Sequence, residues 1–308
     1  YIGLTLVQII LLLIGHMPLY DALTITFGTA GTGGFAIKSD SIAGYSSYLQ
    51  WVITIFMILF GVNFNAYYLI LFRKFKKAVA IEEVQYYFLV IAAATAFITW
   101  SLCNTAMGFA EALKHVAFQV ASIITTTGFA TVDFNYWSGS CQTILVLLMF
   151  IGACAGSTGG GIKVSRFVLL IKTVKKELNS YIHPKSIKKI KVDGKPVEHE
   201  VVRSTNVYFI TFMILFVFSV FLVSLEGKDL VTTFTAVATA INNVGPGLAL
   251  VGPMENFAHL SDLSKVVLMF DMLAGRLELF PLLILFHPSL WKDAFHQKVR
   301  KTKRATAR

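Results

Sequence analysis

Residues 112–129 read Ala-Leu-Lys-His-Val-Ala-Phe-Gln-Val-Ala-Ser-Ile-Ile-Thr-Thr-Thr-Gly-Phe, and this stretch decides how the rest of the chain is parsed. Ala112 to Ile124 is a short apolar helix, whereas a helix needs about 20 apolar residues to cross the hydrocarbon core of a bilayer. It runs directly into Thr125-Thr126-Thr127-Gly128-Phe129, a loop rich in hydroxyls with one glycine. A helix that enters a membrane and stops in a loop must be shielded by neighbouring spans, because unpaired backbone groups cannot face lipid. Spans are therefore expected on both sides. Tyr86 to Cys103 supplies one, and beyond the polar connection Asp133 to Ser140 another begins at Cys141.

The same order recurs upstream and downstream. Tyr1 to Ile14 reads as the end of a span, broken at His16-Met17-Pro18. Leu19 to Phe27 is then a short helix, Gly28-Thr29-Ala30-Gly31-Thr32-Gly33-Gly34-Phe35 its loop, and Leu49 to Phe72 a full span that ends in Arg73-Lys74-Phe75-Lys76-Lys77. Downstream, Asn206 to Leu225 spans, Leu230 to Ile241 is the short helix, Asn242-Asn243-Val244-Gly245-Pro246-Gly247 turns, and Ser264 to Phe286 closes the unit. Three copies of span, short helix, loop and span make an internal repeat, which divides the chain into 1–77, 78–200 and 201–308. The expected fold is an all-α polytopic membrane protein built from repeated re-entrant units.

Composition agrees with this reading. Of 308 residues 56% are hydrophobic and 14% charged, and the mean hydropathy is +0.68, too apolar for a soluble domain of this size. The net charge of +10 does not point to nucleic acid, because the bases sit in short connections between apolar spans. Arg73 to Lys77, Lys172 to Lys195 and Lys292 to Arg308 each follow a second span and so share one side, which the positive-inside rule makes cytoplasmic. The re-entrant loops then enter from outside. Cys103, Cys141 and Cys154 lack paired spacing, and the seven histidines form no metal-ligand pattern.

The second span of the middle unit differs from the other two, which read as uninterrupted. Gly152 to Lys163, Gly-Ala-Cys-Ala-Gly-Ser-Thr-Gly-Gly-Gly-Ile-Lys, breaks it. Each glycine costs about 1 kcal/mol of helix propensity relative to alanine, so Gly156, Ser157, Thr158, Gly159, Gly160 and Gly161 cannot hold a regular helix. Irregular backbone at membrane depth predicts a water-filled path beside it. The stretch is not a phosphate-binding loop, since Ile162 separates Gly161 from Lys163 and Val164 follows.

Loops of Thr, Gly and Asn at the ends of re-entrant helices offer carbonyl oxygens and no fixed charge. This suits an alkali cation, whose hydration shell a set of carbonyls can replace and which the negative end of a helix dipole attracts. The unit has the plan of a potassium-channel pore without its Thr-Val-Gly-Tyr-Gly filter.

Thr29 to Phe35, Thr125 to Thr131, Gly156 to Lys163, Asn242 to Gly247 and Gly275-Arg276-Leu277-Glu278, in that order, resemble the Trk/Ktr/HKT superfamily of potassium transporters, most closely its bacterial Trk-type membrane subunits. The resemblance implies four channel-like repeats with pseudo-fourfold symmetry about one pore. Because the interruption belongs to the family's third repeat and stands here in the second, the first repeat is expected to be the one missing from a chain that begins inside an apolar helix. Three quadrants alone are not expected to conduct.

The resemblance further implies a filter of Thr32, Gly33 and Gly34; Thr126, Thr127 and Gly128; and Asn243, Val244 and Gly245, binding K+ through backbone carbonyls, with Gly31 competing with Gly34. It implies a gate made of Gly156 to Gly161 with Lys163, and Arg276 as a barrier to cations or a latch for the loop, with Asp271 and Glu278 as candidate partners of that arginine. Arg166 with Lys163 is placed to approach the ion path. The implied partners are a second copy of the subunit and a cytoplasmic ring of nucleotide-binding regulators, so the nucleotide belongs to the partner and K+ is the transported ion; the implied location is the bacterial inner membrane. A proton- or sodium-coupled symporter is the alternative, with Asp271 and Glu278 as its titratable candidates. A membrane enzyme or receptor using the cavity is a third class, but no nucleophile–base pair, convergent acids or metal ligands stand at membrane depth.

Overall fold

The computed structural model describes residues 1–103, 108–184, 189–277, 279–285 and 288. Three runs of helices follow one another. The first holds α1 (Ile2–Ile14), α2 (Leu19–Ala30), α3 (Ser47–Phe60), α4 (Phe64–Leu71) and α5 (Phe75–Val79). The second holds α6 (Glu82–Cys103), α7 (Phe109–Ile124), α8 (Gly139–Ile151) and α9 (Val164–Ile182). The third holds α10 (His199–Ser224), α11 (Leu230–Asn242), α12 (Asp262–Arg276) and α13 (Leu279–Leu285).

Local chemistry sets these boundaries. Pro18, which has no N–H to donate, stands immediately before α2, after His16 in a left-handed conformation (φ 61°). Asp229 caps α11 by accepting the Thr232 N–H at 2.9 Å, and Ser261 caps α12 through the Ser264 N–H at 3.3 Å.

Burial separates two kinds of helix. In the 26-residue α10 the buried positions Thr205, Tyr208, Phe212, Phe216, Ser219 and Val223 form one stripe at helical spacing, leaving the other faces for lipid. In α6, Val84, Tyr87, Ile91, Ala94, Ile98 and Leu102 do the same. The 13-residue α11, by contrast, is buried at nearly every position from Thr232 to Asn242. At 1.5 Å per residue α11 is roughly 20 Å long and α2 roughly 18 Å, both short of a bilayer core of about 30 Å. α11 is thus enclosed by longer helices, as a re-entrant segment requires, whereas α2 leaves Leu19, Tyr20 and Phe27 exposed. Among the described residues α6 and α10 are long and apolar enough to cross a membrane, and the bent pair α3–α4 makes a third if counted as one span.

That bend corrects the expectation of an uninterrupted Leu49 to Phe72. The chain turns by 93° between α3 and α4, where Gly61 ends one helix and Asn63 caps the next by accepting the Asn65 N–H at 2.8 Å. Ser264 to Phe286 is likewise not one helix, since α12 ends at Arg276 and α13 starts at Leu279. A break in the second span is therefore shared by all three runs, and what sets the middle run apart is the length and glycine content of its break.

Each run has its own apolar core, and neighbouring cores exchange residues. Phe118, Ala121 and Phe129 from the second run complete the core of α1–α3. Val244 and Leu248 from the third complete that of the second. The basic connection also has more structure than a solvated linker. α9 continues to Ile182, and Lys191–Val192 pairs antiparallel with Lys195–Pro196 in a hairpin turned by Asp193-Gly194. The basic tail 292–308 and part of the Lys172 to Lys195 run lie outside the described residues.

Candidate functional site

The three short helices end in the same way. Thr32, Thr126 and Asn243 take left-handed conformations with φ of 50°, 57° and 56°. Their N–H groups bond the carbonyls of Thr29, Ile123 and Ala240, and the next N–H groups, of Gly33, Thr127 and Val244, bond back to Gly28, Ser122 and Thr239 at 2.8, 2.8 and 2.9 Å. This pair of bonds is the Schellman ending, which satisfies carbonyls that a helix C-terminus leaves unpaired. The following residues, Gly34, Gly128 and Gly245, then have φ of 64°, 87° and 109°, a region that favours glycine. Gly31, with φ −84°, is still in the helical region, so the backbone sets Gly34 rather than Gly31 in register with Gly128 and Gly245.

These loops abut in sequence order. A Cβ on Gly34 would overlap the Thr127 carbonyl oxygen, and one on Gly128 would overlap that of Val244. Gly245 has the Gly128 Cα as its nearest neighbour, at 3.7 Å from an added Cβ. Between the first and third loops lies an apolar cleft of about 720 Å³, bordered by Thr32, Phe35, Val244, Met269, Met272 and Arg276.

The glycine-rich break runs beneath the three helix ends. The Thr158 carbonyl accepts the Thr32 hydroxyl at 2.9 Å, and the Gly160 N–H donates to Thr126 Oγ1 at 2.6 Å. A Cβ on Gly159 would lie 3.1 Å from the Thr125 carbonyl oxygen, and one on Gly160 would overlap that of Asn242. Residues 158–160 therefore touch all three loops, and only glycine fits two of those three positions. Gly152 and Gly161 pack backbone to backbone at the neck of the break.

Arg276 joins the first loop to this segment. Its guanidinium donates to the Gly31 carbonyl at 3.0 Å and to the Thr158 carbonyl at 3.2 Å. Gly275 makes the approach possible, since any side chain there would overlap the Ile241 carbonyl. Asp271 is not its partner. That carboxylate is fully buried and accepts the Ser219 hydroxyl at 2.8 Å across the α10–α12 contact, while Glu278 lies outside the described residues. Lys163 turns its ammonium onto the Gly159 carbonyl of its own loop. Arg166 donates to the Ile162 carbonyl and stacks on Tyr208, 4.0 Å from the ring centroid, so it is anchored to α10.

Two contacts of the break had no counterpart in the sequence reading. The Cys154 N–H donates to the Gly61 carbonyl at 3.0 Å and the Phe64 N–H to the Gly156 carbonyl at 3.3 Å, so the breaks of the first and second runs are bonded to each other. The polar Asn63 and Asn65 beside Gly61, inside an otherwise apolar stretch, were the available signal. Glu83 also reaches the break, its Oε1 accepting the Ala155 N–H, and no local pattern signalled that contact, because the two residues are far apart in sequence.

Comparison with known proteins bears on this geometry. The TrkH family, described as cation transport protein, matches residues 6–298. The chain is 34% identical over 281 residues to the Trk system potassium uptake protein TrkG of Escherichia coli (strain K12), covering 90% of this chain and 57% of that protein. It is 31% identical over 300 residues to TrkH of Salmonella typhimurium (strain LT2), covering 95% and 61%. The crystal structure of the potassium transporter TrkH from Vibrio parahaemolyticus superimposes with a TM-score of 0.87 at 30% identity, over 94% of this chain and 63% of that one. The chain thus spans about three fifths of the length of these relatives.

Proposed function

Because this chain belongs to the TrkH family of cation transport proteins, we propose that it forms three quadrants of a gated K+ uptake pore in a bacterial plasma membrane. The relatives' names state potassium uptake, and the observation that carries the reading here is the abutment of three identically terminated loops above one glycine-rich segment. The carbonyls of Thr32, Gly33 and Gly34, of Thr126, Thr127 and Gly128, and of Asn243, Val244 and Gly245 replace the hydration shell of the ion. Three helix C-termini add a negative field without a fixed anion that would hold the ion too tightly. A fourth quadrant closes the cleft between the first and third loops.

Residues 152–163 act as the gate, with Arg276 holding the loop to the first filter segment and placing a positive charge next to the path. Control comes from the cytoplasmic side, through a nucleotide-binding regulatory ring, with the basic connections and tail on that side and the subunit dimeric. Asp271, one of the two acids that a coupled symporter could use, accepts the Ser219 hydroxyl in a helix contact.

The test is tracer rubidium uptake into proteoliposomes holding the full-length transporter. Gly128→Ser is expected to change the potassium-to-sodium permeability ratio; a normally folded variant with unaltered selectivity removes Gly128 from the filter.

A further inference from the structure

We propose that the first turn of α6 is the clasp that keeps the gating loop shut, with Glu83 as its positioning residue and Glu82 linking it to the hairpin at 191–196. This rests on the reading of residues 152–163 as a gate. Glu83 is a buried carboxylate, 7% exposed, and its partners come from three separate places. Oε1 accepts the Ala155 N–H at 2.5 Å and the Ser165 N–H at 3.1 Å. Oε2 accepts the Asn63 side-chain amide at 3.1 Å. Ala155 and Ser165 bracket Gly156 to Gly161, so one carboxylate grips both ends of the flexible stretch, and Asn63 ties it to the break of the first run.

The grip on Ser165 also completes a helix. The second N–H of α9 is one of the donors that a helix leaves unpaired, and the α9 N-cap residue, Lys163, supplies no side-chain acceptor. Glu83 supplies it from another helix, and its negative charge is favoured at the positive end of α9. Moving α9 away from α6 breaks this bond.

Glu82, one residue earlier, faces the other way. Its Oε2 pairs with Lys172, its Oε1 accepts the Asp193 N–H at 3.2 Å, and its own N–H donates to Asp193 Oδ1 at 2.8 Å. Lys172 donates further to the Lys191 carbonyl at 2.7 Å. The hairpin turn therefore sits on the N-terminus of α6, and a partner that pulls the hairpin away unfastens the turn that carries Glu83.

The experiment compares rubidium flux through full-length transporter without its regulator. Glu83→Gln keeps the shape but sets an amide against the Asn63 amide, and is expected to raise basal flux about tenfold, the equivalent of one hydrogen bond to a charged group. Adding Asn63→Asp to Glu83→Gln restores the acceptor and returns flux toward the wild-type level, with the potassium-to-sodium ratio unchanged throughout. Lys172→Gln and Asp193→Ala raise flux in the same direction. Should Glu83→Gln not fold, Asn63→Ala replaces it with the same expected rise. Deleting Gly156 to Gly161 is the control: no rise there overturns the gate reading itself, whereas a rise there with wild-type flux in the Glu83 or Asn63 variants overturns the clasp alone. A Glu83→Gln rise that Asn63→Asp fails to reverse also overturns it.

Discussion

Phe129 and Phe35 follow equivalent glycines, yet Phe129 is fully buried in the core of α1–α3 while Phe35 is 75% exposed beside the open cleft. The second and third loops insert residues near their glycines into the core of the preceding run, Phe129 into that of α1–α3 and Val244 and Leu248 into that of the second run. Phe35 belongs to the first run described, and no preceding core receives it among the described residues. An exposed aromatic at a position that buries its counterpart marks a surface built to be covered.

If a fourth quadrant covers that surface, Phe35→Ala should destabilise the full-length transporter by about 3–5 kcal/mol, the usual range for emptying a buried aromatic site. In residues 1–308 alone the same change should be nearly neutral. Thermal unfolding of both proteins in one detergent checks the contrast, and equal effects would mean that Phe35 stays exposed.

At the three glycines proposed for the filter, Gly34→Ala and Gly128→Ala both force a Cβ onto a neighbouring carbonyl oxygen, whereas Gly245→Ala meets only the Gly128 Cα at 3.7 Å. All three positions carry positive φ, so all three variants are strained, but the first two must also displace the next loop. The expected ranking of lost selectivity places Gly34 and Gly128 above Gly245, read from reversal potentials in mixed potassium and sodium.

Arg276 donates to two carbonyls that belong to different segments. Hydrogen bonds to a charged group are worth about 1.5–3 kcal/mol each, so Arg276→Gln should raise basal rubidium flux by at least about tenfold. Arg276→Lys should fall between, since an ammonium lacks the planar fork that serves two acceptors at once. A lysine variant indistinguishable from wild type would show that charge alone, without the bridge, keeps the path closed.

Outside the spans, hydrogen bonds from Thr232 hold the Asp229 carboxyl below its ordinary range. Its folded-state value is depressed, so the stability it adds is present above the usual carboxylate range and is lost as pH falls through the lowered value. Asp229→Ala should cost about 1 kcal/mol at neutral pH, as for other N-caps, and the gap from wild type should close in acid. Melting curves at several pH values read it directly.

The repeat, the re-entrant helices and the loops were legible in the sequence because they rest on local features: an apolar run too short to span, a glycine where φ must turn positive, and a charge bias between connections. The register of Gly34 with Gly128 was visible in the Gly-Phe pairs alone. The reading failed at Leu49 to Phe72, where hydropathy stays high through a 93° bend; composition reports solubility in lipid and is blind to direction.

What only the tertiary structure decided is which groups meet. Asp271 is near Arg276 in sequence but bonds Ser219 on another helix, while Arg276 reaches Gly31 and Thr158, 245 and 118 residues away. Glu83 finds Asn63, Ala155 and Ser165 in the same manner. The sequence by itself determined that polar backbone must be sheltered at membrane depth. Which partners shelter it follows from how the three runs pack, because a hydrogen bond depends on position to within a few tenths of an ångström, and no local pattern encodes the distance between segments a hundred residues apart.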